Sequence, residues 1–171
     1  IKSILVSQPA PNESSPYTEI AKKAKIKIDF RPFIHVASVD AKELRTQKID
    51  LSNYNGIIFT SKNAIDHYFR IAEEMRFPVP DSMRYICQSE AIANYLQKHI
   101  IYRTRKISYG EKNFADLLPL FKKYPTEKYL LPSSDLINEE MVKTLESSNI
   151  DWTRATMYRT VCSDLTDIAI D

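Results

Sequence analysis

The sequence predicts an α/β fold built on parallel strands, and three observations carry that expectation. Short apolar runs stop at polar turns and a helical pattern follows, four times over: SILVSQP at 3–9, with its helix after a loop, IIFTSKNAIDHYF at 57–69, YICQSEAIANYL at 85–96 and YLLPSSDLINEEMVKTLE at 129–146. Strands alternating with helices at this spacing are joined by right-handed crossovers, which makes neighbouring strands parallel. The runs are also continuous rather than alternating, as expected of strands covered on both faces. The chain has 171 residues, of which 43% are hydrophobic and 11% aromatic, enough for a packed core.

In chain order, the first run ends at Ser7-Gln8, and after a Pro/Asn/Ser loop a helix is predicted from Pro16 to Ala24, with the proline in its first turn. IKIDFRPFI at 26–34 reads as the next strand. Ile57, Ile58 and Phe59 form another, and Ala64, Ile65, Tyr68, Phe69, Ala72 and Met75 recur on one face of the following helix, with Ser61 as its N-cap. Tyr85-Ile86-Cys87 is a strand, Gln88-Ser89 a turn, and Ala91, Ile92, Tyr95 and Leu96 a helix face. IIYRTRKISY at 100–109 is an edge strand whose Arg103, Arg105 and Lys106 block edge pairing. A helix runs from Asn113 to Lys123, in which Pro119 either kinks it or marks a first turn. Tyr129-Leu130-Leu131 is a strand, Pro132-Ser133-Ser134 a turn, and Ile137, Met141, Val142 and Leu145 a helix face; DWTRATMYRTV at 151–161 is the last strand.

Several function classes recede. There are only two glycines, Gly56 and Gly110, whereas a dinucleotide fingerprint or phosphate-binding loop needs several so that backbone can approach phosphate. His35, His67 and His99 are scattered singly, and no metal is expected. Cys87 and Cys162 have no CxxC spacing and are expected to be reduced thiols in or near the core. A net charge of +2 gives only a weak overall field, which argues against an obligate nucleic-acid binder. The apolar runs fall far short of the roughly 20 residues that span a bilayer. The expectation is a cytoplasmic protein with a small-molecule ligand, bound beyond the carboxyl ends of the strands where the polar turns gather.

The order ILVSQP, a strand ending in PFI, IIFTSKNAIDHYF, YICQSEAIANYL and YLLPSSDLINEEMVKTLESSNIDWTRATMYRT resembles uroporphyrinogen-III synthases over essentially the whole chain. The resemblance implies two flavodoxin-like lobes, each a parallel sheet flanked by helices, joined by a two-strand linker with the active site in the cleft. Residues 1–34 would begin the first domain, completed by residues after about 161; 35–37 and 157–160 would be linkers and 38–156 the second domain. Two strands and one helix cannot bury a sheet, so the first lobe is expected to be incomplete and the natural chain longer by roughly 50 to 100 residues. The ending LTDIAID does not read as a natural finish.

The implied reaction is cofactor-free closure of a linear tetrapyrrole polycarboxylate, hydroxymethylbilane, with inversion of its last pyrrole and loss of water, by a monomer. The alternative is a non-catalytic two-lobed ligand-binding or regulatory module. Tyr158 in MYRT sits where the family carries a tyrosine and is the candidate catalytic acid; otherwise it covers the hinge. The candidate substrate-binding residues are Ser7, Gln8, Thr60, Ser61, Lys62, Asn63, Gln88, Ser89, Ser133 and Ser134, because helix N-termini and strand-end N–H groups favour carboxylates. Arg31 and Arg159 either line the cleft or solvate the linker. Where the family often has a glycine-bearing turn and an Arg-Gly pair, this chain has Gln88-Ser89 and Ser133-Ser134, so side chains meet the substrate there.

Overall fold

The computed structural model describes residues 2–11 and 15–166; part of the Pro/Asn/Ser loop and most of LTDIAID lie outside them. In chain order the elements are β1 (Ser3–Val6), α1 (Pro16–Ala24), β2 (Lys27–Phe30), β3 (Ile34–Ser38), α2 (Ala41–Thr46), β4 (Gly56–Phe59), α3 (Lys62–Glu74) and β5 (Arg84–Cys87). There follow α4 (Glu90–Tyr95), β6 (Ile107–Tyr109), α5 (Leu118–Lys123), β7 (Lys128–Ser134), α6 (Glu139–Ser147) and β8 (Asp151–Cys162). The chain divides into two compact units: residues up to Val36 with those from Thr160, and Ala37–Arg159. Among the described residues no helix is long and apolar enough to cross a membrane.

In the smaller unit β1 and β2 pair in parallel, from Ser3↔Lys27 to Val6↔Phe30. The Ser15 side chain caps α1 by accepting from the Tyr17 N–H, Pro16 occupies the first turn, and Lys25 closes the helix in the left-handed region at φ 52°. Tyr17 packs edge-on against Phe30, with ring centroids 5.8 Å apart. No residue of α1 is buried, and Ile4, Leu5 and Ile20 stay exposed.

The larger unit is organised by a sheet of order β3-β8-β7-β4-β5-β6, in which β4 pairs in parallel with both β5 and β7. Alternate residues of its strands feed two separate cores. Ile57, Phe59, Tyr85, Cys87 and Leu130 face α3 and α4, meeting Ile65, Tyr68, Ile71, Ile92 and Leu96. Ile58, Ile86, Tyr129 and Leu131 face the other way, onto Leu117, Phe121 and Leu145. Burial on both faces is why these strands read as unbroken apolar runs.

Gly56 is required by close approach. A Cβ there would lie 2.5 Å from the Tyr129 ring, which is fully buried, packed edge-on against Phe121 at 5.7 Å and tied by its hydroxyl to the Tyr124 carbonyl at 3.1 Å. The ring therefore has nowhere to move.

Several sequence expectations are corrected. The strand expected over 26–34 breaks into β2 and β3, because Pro32 has no N–H to give to a ladder. Of 100–109 only Ile107–Tyr109 is strand. The N–H groups of Lys106 and Ile107 turn back to the Arg103 carbonyl, so the basic run lies on the turn leading into the edge strand. Pro132-Ser133-Ser134 continues β7 rather than turning, held by its ladder to β8, and α6 starts at Glu139 with Asn138 as its cap. Pro119 falls in the first turn of α5, after a 3-10 turn over Phe114–Leu117. Ala93 rather than Ala91 faces the core from α4, and Ile71 joins the buried face of α3. Cys162 is exposed, against expectation; Cys87 is buried, and burial pushes its thiol up to about 12. The helix α2, capped by Asp40 accepting from the Glu43 N–H at 2.7 Å, was not foreseen.

Replacing Gly56 by alanine is expected to cost about 1–3 kcal/mol by overpacking against Tyr129, read as a lower urea midpoint at unchanged slope.

Candidate functional site

The strand order reverses between β4 and β7: β5 and β6 follow on one side of β4, β7 and β8 on the other. In open parallel sheets the crevice beyond the carboxyl ends of two such strands is where ligands bind. Thr60 and Ser61 continue from the end of β4, and Ser133 and Ser134 end β7.

Ser61 is the N-cap of α3: its Oγ accepts the Ala64 N–H at 3.1 Å. The same oxygen lies 3.0 Å from the Tyr158 hydroxyl. What brings Tyr158 there is a bulge in β8. Ser133 pairs with Thr156, but the next residue, Ser134, pairs with Tyr158, so Met157 is inserted without an opposite number. Strict alternation would send Ala155 and Met157 to one face and Tyr158 to the other. Instead all three belong to the core beneath α3, since a bulge re-aims the side chain that follows it.

Two side chains hold the backbone around the bulge. The Gln47 amide donates to the Thr156 carbonyl at 2.9 Å and accepts the Thr156 N–H at 3.0 Å, standing in for a strand partner. Arg154 donates through Nε to Ser133 Oγ at 3.0 Å and through Nη2 to the carbonyls of Ser134 and Asp135 at 2.7 and 2.8 Å. Arg159 forms an ion pair with Glu43.

His67 stacks on Tyr158, with centroids 5.0 Å apart and planes 16° from parallel. Its pKa is lowered, first by burial and then by the Arg70 guanidinium, with Asp66 opposing. The imidazole is thus disposed to be neutral where it covers the phenol. Along α3, Asp66 accepts from the Tyr95 hydroxyl at 2.9 Å and pairs with His99 at 2.9 Å, while Lys62 stands 5.4 Å over the Tyr95 ring.

Of the residues named from sequence, the structure brings Ser61 and Tyr158 into contact. Thr60, half-buried, and Lys62 and Asn63, both exposed, sit beside them. Ser134 ends the neighbouring strand, with its hydroxyl turned onto Leu136. Ser133 is buried, as is Tyr158, and the Ser133 hydroxyl accepts from Arg154 Nε and donates to the Ser134 carbonyl. Gln88 follows β5 with its N–H donating to the Phe59 carbonyl at 2.9 Å, and it lines a cavity of about 190 Å³ with Lys112, Asn113, Asn138 and Glu140. Ser89 is at the N-cap position of α4 but makes no side-chain cap bond. Ser7 and Gln8 are exposed at the end of β1 in the smaller unit. His67, Gln47 and Arg154 were missed. Only His67 left a signal, lying four residues from Asn63 on one helix face.

Ser61→Ala removes both the cap and the phenol contact and is expected to cost about 1–2 kcal/mol. A double-mutant cycle with Tyr158→Phe, by chemical denaturation, should give a coupling of about 0.5–1.5 kcal/mol; zero coupling would mean that the 3.0 Å contact contributes nothing to stability. His67 should titrate below 6.5, its ordinary value, by NMR. Because the unfolded chain takes up this proton first, the contribution of His67 to stability is present above that pH and lost as pH falls below it.

Several solved structures resemble the chain. Against a mutant uroporphyrinogen III synthase from Thermus thermophilus the TM-score is 0.66 at 11% identity, covering 95% of this chain and 64% of that one. Uroporphyrinogen-III synthetase from Helicobacter pylori gives 0.57 at 19% identity, covering 97% and 65%. The wild-type Thermus thermophilus enzyme gives 0.58 at 10% identity, covering 95% and 63%. The chain therefore spans somewhat less than two thirds of the length of these structures, and identities this low speak for the shared α/β fold. No curated protein sequence matches it. The family model described as uroporphyrinogen-III synthase HemD matches residues 15–169, nearly the whole chain. The chain belongs to the uroporphyrinogen-III synthase family.

Proposed function

We propose that this protein closes hydroxymethylbilane, a linear tetrapyrrole polycarboxylate, into uroporphyrinogen III, inverting the last pyrrole and releasing water without a cofactor. The observation that carries the reading is the hydrogen bond between Ser61 Oγ and Tyr158 Oη at the strand-order reversal. Ser61 Oγ already accepts from Ala64, so its one proton is available to Tyr158 Oη. The phenol proton is then free for the substrate. Tyr158 passes that proton to the substrate hydroxyl; the C–O bond breaks as a pyrrole nitrogen pushes its electron pair toward the methylene, and water leaves. The proton later lost from the ring restores the phenol. Positioned acids contribute about 10²- to 10⁴-fold, and for so labile a leaving group the low end is expected.

Grip is the larger task, since the terminal ring must be held so that the substituted carbon, not the free one, meets the cationic end. The first turn of α3 contains no acidic residue, leaving its dipole and the Lys62 ammonium to attract the acetate and propionate arms, with Thr60 and Asn63 alongside. Ser7, Gln8, Gln88, Ser89, Ser133 and Ser134 complete the proposed set. The two units are read as the family's two lobes. The order β8-β7-β4-β5-β6 supports a flavodoxin-like label, becoming 2-1-3-4-5 when β7 is counted first.

Hydroxymethylbilane closes unaided to the symmetric type I isomer, so consumption of substrate proves nothing. Chromatography of the products from fresh substrate is expected to give the type III isomer, and Tyr158→Phe to slow its formation by about 10²-fold with the fold unchanged. Type I alone from folded protein would overturn the synthase reading in favour of a binding module, and an unchanged rate in the variant would make Tyr158 structural.

A further inference from the structure

At the amino ends of β5 and β6, the opposite end of the sheet from Ser61 and Tyr158, lies a cavity of about 380 Å³. Its apolar lining includes the buried Met83, Tyr85 and Ile107. Phe69 and His99, which also line it, are stacked at 4.7 Å with planes 3° apart. Ile101 lines it too and is 81% exposed, an apolar side chain left in water. A volume of this size is that of a ligand pocket rather than a packing gap.

The charges lining it do not balance. Asp81 is paired with Arg103 at 2.9 Å, and His99 with Asp66 at 2.9 Å. Lys106 lines the same cavity half-buried and has no ion-pair or hydrogen-bond partner for its ammonium among the described residues. One cation is left over beside an apolar pocket. A partly desolvated ammonium favours an anionic partner over none, because the local dielectric strengthens the attraction while water solvates it less well.

The geometry points to a second ligand site here, for a compact monocarboxylate with a flat or branched apolar body. The carboxylate pairs with Lys106, the body lies against Met83, Tyr85 and the Phe69–His99 stack, and Ile101 is covered when the site is filled. Such a ligand is much smaller and less charged than the tetrapyrrole proposed above, and the two sites are at opposite ends of one sheet, so the failure of either reading leaves the other standing.

The test is a titration with 3-phenylpropionate, and in parallel with its uncharged amide, followed by NMR of isoleucine and methionine methyl groups in the whole chain. Saturable shifts are expected at Met83, Ile100, Ile101 and Ile107, with an acid affinity on the order of millimolar for so small a molecule. The amide should bind about tenfold more weakly, and Lys106→Met should weaken the acid about tenfold while leaving the amide and the unfolding midpoint unchanged. Lys106→Gln should behave in the same way and replaces the methionine variant if that one folds poorly. Absence of saturable shifts, shifts centred on other methyl groups, or equal acid affinity in wild type and variants would overturn the assignment.

Discussion

The larger unit depends on one constraint: β4 must be paired along both edges and buried on both faces at once. Its four residues are all buried, and the neighbour on one side, β7, brings Tyr129 directly over Gly56. With both edges and both faces taken, the only polar exit from β4 is at its ends. That is why the chain turns to hydroxyl residues immediately after Phe59, and why the cap of α3 falls at the crevice rather than elsewhere on the surface. Fully burying an aromatic or branched aliphatic side chain contributes about 1.5–3 kcal/mol, so shifting the register of β4 by one residue would exchange the contents of two cores.

The Ser61–Tyr158 contact is set on this frame by a departure from regularity. The insertion of Met157 turns Tyr158 to the side already occupied by Ala155 and Met157. The ladder groups displaced by a bulge need other partners, and the Gln47 amide and the Val39 N–H supply them to Thr156 and Met157. Arg154 does the same for the carbonyls at the tip of β7. The phenol is therefore held by a backbone whose hydrogen bonds are largely satisfied. A rigid placement of this kind is what positional catalysis requires.

Much of the frame was legible in the sequence, because burial on both faces leaves continuous apolar runs and the N-cap chemistry of Ser61 is local. Tyr158 was named through resemblance; spacing alone places it on the opposite face from Ala155 and Met157, since DWTRATMYRTV carries no mark of an inserted residue. Pro132-Ser133-Ser134 has the composition of a turn, and only the distant β8 makes it a strand. The charged run at 103–106 alternates as an edge strand would, yet a turn uses its N–H groups locally. Gln47, Arg154 and the stack of His67 on Tyr158 are tertiary relationships across about 90 or more residues or across a strand pair. The missed helix α2 was readable, since Asp40 followed three residues later by Glu43 is a capping signal.

The strand order has a consequence in time. One edge of β4 is closed by β5, which follows it closely along the chain, but the other waits for β7, about 70 residues further on. At ordinary synthesis rates of about 5–20 residues per second, an unpaired edge of an apolar strand remains uncovered on the ribosome for several seconds. During that interval the nascent chain offers a ready template for a stray strand. The shielding of newly made chains thus bears on the yield of this protein as directly as the final stability of its sheet.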